Sequence, residues 1–460
     1  MAQKNLKPDP TLQIKRRLAI SAFELPLRSR GKVAVFLFAA VVPGLWLAFK
    51  TVVIAVAATE GQSSDPGVLL KAVALDPANP GLHYRLGLAD CYSLDHSHPQ
   101  EGLRELRQAT ELAPTQPEYW SGLASACESA GDTACADQAT KRTLALAPTT
   151  PRYRWDAANH DLARGRSSEA MNEFQKLLEL DPGYAPQTFR LCLRMVEDPG
   201  EIYQGLLAGR KDPDLNFAYV NYLTAHGQEA GAYPVWQATL ALNQPFPFSL
   251  AAPYLEWLVR HGPDQEAVSA WRDLESHGIV KRPAADTPDN LVFNSGFEQP
   301  LLNAGFGWRV HPESYTRVSL DDSGAYEGDR CLRIDFTVSR NGNDEPVSEI
   351  IPVTPDHAYV LQAYMRSDGI TSGSGPRLRV TDPDCSSCLD ASTEGVVGTT
   401  PWHALSLSFS TGPATRRVQL SVWRPRSLTF PDEISGTCGL DAVSLKDATN
   451  YEAQKAPARP

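Results

Sequence analysis

A chain of 460 residues is longer than one ordinary domain, so two or three folded units are expected. The formal net charge of −11 argues against a nucleic-acid-binding protein, because neutralising phosphates requires a basic surface. Eight cysteines, an even number, suit an oxidising compartment such as a periplasm or the cell exterior.

The first element in the chain is an apolar segment, residues 33–58, whose one charged residue is Lys50. A helix of this length crosses a hydrocarbon core of about 30 Å and satisfies its own backbone hydrogen bonds there. The segment therefore predicts a transmembrane helix. A cleaved signal peptide is an alternative, because Ala55-Val56-Ala57 resembles a small-residue cleavage site, and a buried core helix is another.

Basic residues are concentrated before this segment, with eight lysines and arginines against two acidic residues in positions 1–32. The positive-inside rule makes residues 1–32 a basic cytoplasmic tail on anionic lipid. We therefore expect a single-pass protein of a bacterial inner membrane, with the bulk of the chain in the periplasm or otherwise outside the cytoplasm.

Residues 66–280 contain a recurring motif of leucine, a small or acidic residue, and proline. Its prolines are spaced by 37, 34 and 34 residues and are Pro77, Pro114, Pro148 and Pro182. A period near 34 residues that closes with proline is typical of helical-hairpin repeats. The segment therefore predicts an all-α repeat domain.

The same segment resembles the tetratricopeptide repeat family, clearly in two repeats and more weakly in the others. The matching residues are Trp120, Leu123, Ala124, Cys127, Gly131, Ala136 and Pro148, then Gly165, Ala170, Phe174 and Pro182. The resemblance implies hairpins stacked around a continuous core, with a concave groove that is available to a protein partner.

Residues 281–289 contain proline and charge without periodicity and predict a linker. In the next segment, apolar and polar residues alternate, as in the apolar series Leu332, Ile334 and Phe336. Short strands with one apolar face predict an all-β sandwich over residues 290–447. A disordered tail, residues 448–460, is expected after it.

The ends of this β domain are similar to the jelly-roll carbohydrate-binding modules of bacterial glycan-active proteins. The similar segments are residues 290–298, Trp308, residues 328–334 and residues 439–445. The resemblance implies a structural calcium that ties the first strand to the last, at Glu298, Asp441 and the backbone of Gly328. Leu440 stands where the family often has a second acid, and a purely structural role for Glu298 is the alternative.

Sugar recognition requires an exposed aromatic ring with polar neighbours. Six residues lie on the faces opposite the aliphatic side chains of their predicted strands: Trp423, Tyr364, Gln362, Arg377, Arg379 and Gln419. If these faces belong to one sheet, they form a concave surface that binds a polysaccharide. The alternative is that they pack under a loop or against the helical repeats.

Two pairs of cysteines are candidates for disulfides. Cys385 and Cys388 have the spacing of half a zinc site, but no second pair follows, so a local disulfide is favoured over two unpaired thiols. In jelly rolls of the resembling type, Cys331 and Cys438 lie on neighbouring strands, which makes a disulfide between them possible.

The sequence contains no nucleophile elbow, dinucleotide-binding motif, P-loop or zinc-protease motif, and no catalytic residues are assigned. It predicts a membrane-anchored, non-enzymatic scaffold with a protein partner on the repeats and a glycan on the sandwich, in envelope polysaccharide synthesis or export. The alternatives are an assembly factor without sugar binding and a glycan-active enzyme with an unrecognised site.

Overall fold

The computed structural model describes residues 30–92, 98–284, 286–311 and 315–448. The predicted basic tail, apart from its last residues, and the C-terminal tail from residue 449 lie outside the described residues. The chain divides into two compact units, Met1–Tyr153 and Arg154–Pro460. Each unit is described by itself.

The first unit begins with one long helix, α1 (Arg30–Glu60), and most of its apolar side chains are exposed. Its Val33–Glu60 part is long and apolar enough to cross a membrane, a test that a signal sequence also passes. The last turns of α1 are different, because Ala57 is buried with Leu69 and Leu82 in a small core. The helix therefore continues directly into the packing of the first hairpin.

Short helices follow α1 in the first unit, and most of them begin at a proline. They are α2 (Pro66–Leu75), α3 (Pro80–Tyr92), α4 (Pro99–Leu112), α5 (Pro117–Ser129), α6 (Thr133–Leu146) and α7 (Pro151–Ala163), which contains the boundary between the units. Proline suits the first turn because its fixed φ is helical and no N–H is left unpaired there. The motif prolines Pro77, Pro114 and Pro148 lie in the turns just after α2, α4 and α6.

The second unit continues the series of hairpins. Its helices are α8 (Ser167–Leu180), α9 (Ala185–Met195), α10 (Pro199–Leu206), α11 (Pro213–Ala225), α12 (Glu229–Leu240), α13 (Phe248–His261) and α14 (Asp264–Ser276). Phe174, Phe217 and Trp236 are buried in one continuous core between these helices. The fourteen helices in the described residues confirm the predicted all-α repeat part.

Ten strands in the described part of the chain form two antiparallel sheets. They are β1 (Arg309–Val310), β2 (Thr316–Asp321), β3 (Cys331–Arg340), β4 (Asp344–Pro352), β5 (Ala358–Ile370), β6 (Arg377–Thr381), β7 (Asp390–Ser392), β8 (Gly398–Ser410), β9 (Arg417–Arg424) and β10 (Ile434–Asp447). The first sheet has the order β1-β4-β9-β6-β7, and the second has the order β2-β3-β10-β5-β8. This confirms the predicted β-sandwich.

The inner faces of the two sheets supply the core of the sandwich. Val347 and Leu420 from the first sheet, and Leu361 and Leu440 from the second, are almost fully buried in it. Away from the register shifts in β4, β5 and β10, residues alternate between this core and the outer faces, as the pleat of a strand requires.

The beginning of the sandwich packs directly on the last helices of the same unit. The Trp271 ring of α14 lies edge-on to Phe293 and Phe306, with centroids 5.3 and 5.8 Å apart. Glu256 of α13 accepts a hydrogen bond from the Gly305 N–H at 2.8 Å and pairs with Arg309 at 2.8 Å. The predicted linker is therefore followed by a docked sandwich, which shares one core with the helices.

Gly305 permits this packing. Its φ is +64°, and a Cβ at this position would lie 2.5 Å from the Trp271 ring. We expect Gly305→Ala to lower the free energy of unfolding by about 2 to 4 kcal/mol, because it adds backbone strain and a steric clash. Urea unfolding of the full chain in detergent, followed by tryptophan fluorescence, measures this change.

Gly412→Ala is the matched control, since the nearest atom to its added Cβ would be the Thr415 hydroxyl oxygen at 3.6 Å. This variant should unfold like the unmodified chain. Equal stability of the Gly305 and Gly412 variants would show that the junction tolerates a side chain.

Candidate functional site

Four of the six predicted glycan-binding residues lie together on the outer face of the first sheet. In β9, Val418, Leu420 and Val422 point into the core, so Gln419 and Trp423 point outward. β6 pairs with β9 in a register that places Arg377 opposite Trp423 and Arg379 opposite Ser421, while Thr381 faces Gln419. We call Trp423, Arg377, Arg379 and Gln419 the β6–β9 face.

Arg379 is the centre of a charged network on this face. Its Nε and Nη2 donate to the two carboxylate oxygens of Asp390 at 2.7 and 2.8 Å, and its Nη1 donates to Glu345 at 2.8 Å. Glu345 also accepts a hydrogen bond from Gln419 at 3.2 Å. The bond from Arg379 holds the pKa of Asp390 below its usual range. Bidentate pairs of this kind fix geometry as well as charge.

Trp423 is partly exposed and is held in place on several sides. Its indole N–H donates to the Asn343 side-chain oxygen at 2.7 Å. The Arg379 Cζ lies 4.4 Å from the ring centroid, and the Arg377 Cζ lies 5.9 Å from it. Cations at these distances are attracted to the indole π-system. The ring is therefore fixed before any ligand arrives.

Helix α13 covers one end of the first sheet. At the start of β9, Arg417 donates to the Val259 carbonyl of α13 and pairs with Asp384 at 2.7 Å. Ile350, on the outer face of β4, packs against the helical core. A cavity of about 290 Å³ lies where α13 meets the sheet, and its lining includes Arg260 and Gln419. The end of the first sheet beside α13 therefore packs against the helical repeats, whereas Trp423 does not.

The other two predicted residues, Tyr364 and Gln362, lie on the opposite side of the sandwich. Both belong to β5, which lies between β10 and β8 in the second sheet. The six residues therefore do not form one surface, because alternation along a strand fixes the face and not the sheet.

Tyr364 packs under a loop, as the sequence-based alternative anticipated. Its ring stacks on Tyr326 with centroids 3.6 Å apart, and the hydrogen bond between them raises the pKa of Tyr326 to about 12. Trp402 donates to the Gly324 carbonyl of the same loop at 3.1 Å, and Arg366 lies 5.1 Å from the Trp402 ring centroid. Tyr326 was missed because it lies in a loop, where no period marks its direction.

The residues predicted to bind calcium all meet the loop around Gly328. Asp441 is fully buried and accepts from the N–H groups of Tyr326 and Glu327 at 2.7 and 3.1 Å. Glu298 accepts from the Asp329 N–H at 2.9 Å. Burial raises the pKa of Asp441, and the charge of Glu298 raises it further.

Gly328 fits this loop because it has no side chain. Its φ is +69°, and a Cβ there would lie 1.9 Å from the Glu298 Oε1. The Glu298 and Asp441 carboxylates, beside an open backbone, are an oxygen-rich arrangement that suits a hard cation.

The cysteines give one expected disulfide and one unexpected disulfide. Cys385 and Cys388 are bonded, as are Cys127 and Cys135, which join α5 to α6 across their turn. The sequence analysis named Cys127 only as a position that matches the repeat pattern and did not pair it with Cys135, eight residues later.

The disulfide considered between Cys331 and Cys438 is absent, and both are buried free thiols. The strands are neighbours, but Cys438 lies opposite Ile334, three residues from Cys331 along β3. Burial raises the pKa of both thiols, that of Cys438 to about 12. Cysteines on adjacent strands therefore do not form a disulfide when the strand register does not place them opposite each other.

The comparison with known families agrees with the sandwich. Residues 289–429 match the family model described as a carbohydrate binding domain. The C-terminal sandwich has the fold of this family. No curated protein matches the chain. Carbohydrate binding domains and helical-hairpin repeats are non-catalytic kinds of domain.

Solved structures similar to parts of the chain include both kinds of domain. The MamA protein is 16% identical, and the alignment covers 42% of this chain and 91% of that chain with a TM-score of 0.29. A CBM4 structure is 15% identical over 34% of this chain and 99% of its own, with a TM-score of 0.25. The CBM22-1 xylan-binding domain from Paenibacillus barcinonensis Xyn10C is 14% identical over 33% and 91%, with a TM-score of 0.22. At these TM-scores, the similarities support no conclusion about the function of this chain.

Proposed function

We propose that this chain is a membrane-anchored, non-enzymatic binding protein whose sandwich binds a glycan through the β6–β9 face. The observation that carries the proposal is the partly exposed Trp423 ring, held among hydrogen-bonding side chains in a domain that matches a carbohydrate binding family. A pyranose ring has apolar C–H faces and polar edges. An aromatic ring with fixed polar neighbours is complementary to both.

The cost of binding is low at such a site because its side chains are already ordered. Arg379 is fixed by Asp390 and Glu345, and Gln419 by Glu345, so little rotamer freedom is lost when a sugar arrives. Helix α13 closes the other end of the sheet and limits the length of glycan that the face can hold.

The helical repeats are proposed to hold a protein partner. In the first unit, α2, α3 and α4 line an open cavity of about 860 Å³, which includes Leu70, Leu86, Asp90 and Arg104. Leu70 is 59% exposed, so apolar and charged groups are both available to a peptide segment. Photo-crosslinking from position 70 would identify a segment held there.

The single-pass anchor is proposed to be retained. Signal-peptide cleavage after Ala57 would remove a residue that is buried against α2 and α3. Near the outer end of the span, the Lys50 ammonium lies 6.0 Å from the Trp46 ring, and such pairs suit a membrane interface. With the N-terminus in the cytoplasm of a bacterium, the helical repeats and the sandwich both lie outside the cytoplasm. This location suits a role in envelope polysaccharide synthesis or export.

A structural calcium at Glu298 and Asp441 is proposed as a support of the sandwich. Both carboxylates contact the loop that follows β2, while Asp441 belongs to β10 and Glu298 to the first segment of the domain. A divalent cation would neutralise this buried charge and join the three segments.

The glycan-binding proposal predicts that Trp423→Ala weakens binding at least about tenfold, because the aromatic surface is lost. Trp423→Phe should keep part of the affinity. Calorimetry with the full chain, in a detergent without a sugar headgroup, measures binding to oligosaccharides selected on a glycan array. Trp402→Phe, on the second sheet, is the control and should bind normally. Unchanged affinity in Trp423→Ala would refute binding at this face.

The anchor proposal predicts that the full chain stays in membranes washed with alkaline carbonate, because residues 33–56 interact with lipid rather than with protein. Mass spectrometry of the purified chain should find peptides from residues 33–57. A mature protein that begins at Ala58 and is released on washing would instead establish the cleaved signal peptide.

The calcium proposal predicts that calcium stabilises the chain, by about 2.7 kcal/mol at one hundred times its Kd. Thermal unfolding at pH 7.5 with calcium or with a chelator measures this. The stabilisation should decrease at pH 5, since burial raises the pKa of Asp441 and its protonated form is a poor ligand. Glu298→Gln should reduce the effect, and equal melting temperatures with calcium and chelator would exclude the site.

A further inference from the structure

The β6–β9 face contains two arginines whose surroundings differ. Arg377 and Arg379 are two residues apart on β6 and lie on the same side of the sheet. Arg379 has three hydrogen bonds to the carboxylates of Asp390 and Glu345. Arg377 lies directly opposite Trp423 in the register, with its Cζ 5.9 Å from the ring centroid.

Arg377 has no acidic partner among the residues that the structure describes. Its Nε is buried and lacks a hydrogen-bond acceptor, and burial lowers the pKa of the guanidinium. The side chain as a whole is only partly buried, and no described residue accepts a hydrogen bond from its Nη groups. These Nη groups are therefore available to pair with an acceptor on a ligand.

The backbone leaves space for the Arg377 side chain. At Gly395, an added Cβ would lie 2.7 Å from the Arg377 Nη2. The guanidinium is thus held between the Gly395 backbone and the Trp423 ring, in a position adjacent to the proposed sugar platform. A group that pairs with Arg377 must lie at the edge of the sugar that contacts Trp423.

A carboxylate meets these requirements better than a hydroxyl. The planar guanidinium matches the planar carboxylate in a two-point pair, and a hydroxyl would leave the charge uncompensated. In a uronic acid, the carboxylate projects from the edge of the pyranose ring. Because the chain has a net charge of −11, the attraction must be local to the β6–β9 face.

We propose that the β6–β9 face binds an acidic polysaccharide, with Arg377 pairing with the carboxylate of a uronic acid whose ring contacts Trp423. This proposal rests on the proposed glycan-binding function and adds the class of sugar. Asp390 and Glu345 do not oppose it, because both are paired with Arg379, and the two arginines together balance the two carboxylates.

The test compares oligomers of galacturonic, mannuronic and glucuronic acid with the same oligomers after reduction of their carboxyl groups. Calorimetry uses the full chain in a detergent without a sugar headgroup. At least one acidic oligomer should bind about tenfold to a hundredfold more tightly than its reduced form. Arg377→Gln should bring this ratio close to one, and Arg377→Lys should give an intermediate ratio.

Arg416→Gln, the same change at an exposed arginine before β9, is the control and should keep the ratio of the unmodified chain. Equal binding of acidic and reduced oligomers, lost in Trp423→Ala, would overturn the acid preference and leave glycan binding in place. Binding of sulfated oligosaccharides alone would overturn the carboxylate assignment. Failure of every probe, acidic or reduced, would overturn both proposals.

Discussion

The packing of the sandwich on helices α13 and α14 is the constraint on which the proposed site depends. Trp271 can lie against Phe293 and Phe306 because Gly305 has no side chain, and the Glu256–Arg309 pair closes the same contact. Since this contact covers Ile350, the helices occupy one end of the outer face of the first sheet. The end that contains Trp423 stays open.

This arrangement joins the sandwich to the last helices of the repeat series within the second unit. A sandwich on a free linker would sample many orientations, whereas a sandwich that shares a core with the last repeat presents its face in one orientation. Arg260 of α13 lines the cavity at the edge of the face together with Gln419. A glycan that extends from Trp423 towards Gln419 would therefore approach a helix of the repeat domain.

The sequence was sufficient for the elements and for the faces of the strands, because the proline period and the two-residue alternation are local signals. It marked the outward faces of the strands, and the pairing of β6 with β9 is what brings Trp423, Arg377, Arg379 and Gln419 onto one face. It could not assign Tyr364 to the second sheet or determine the offset between Cys331 and Cys438. Sheet membership and register depend on pairing between distant strands, which local patterns do not contain.

Arg424 is an arginine of the same sandwich that has a purely structural role. It is fully buried one residue after Trp423, and its guanidinium donates to the carbonyls of Ser374, Gly342 and Asp432 and to the side chains of Asn341 and Ser372. Burial lowers the pKa of Arg424 as it lowers that of Arg377, so both lose hydration. The domain supplies five hydrogen-bond acceptors to Arg424 but leaves the Arg377 Nε without one. The Trp308 indole N–H in the sandwich core also lacks an acceptor, so what distinguishes Arg377 is its partly exposed guanidinium beside Trp423, which an acceptor can reach from outside.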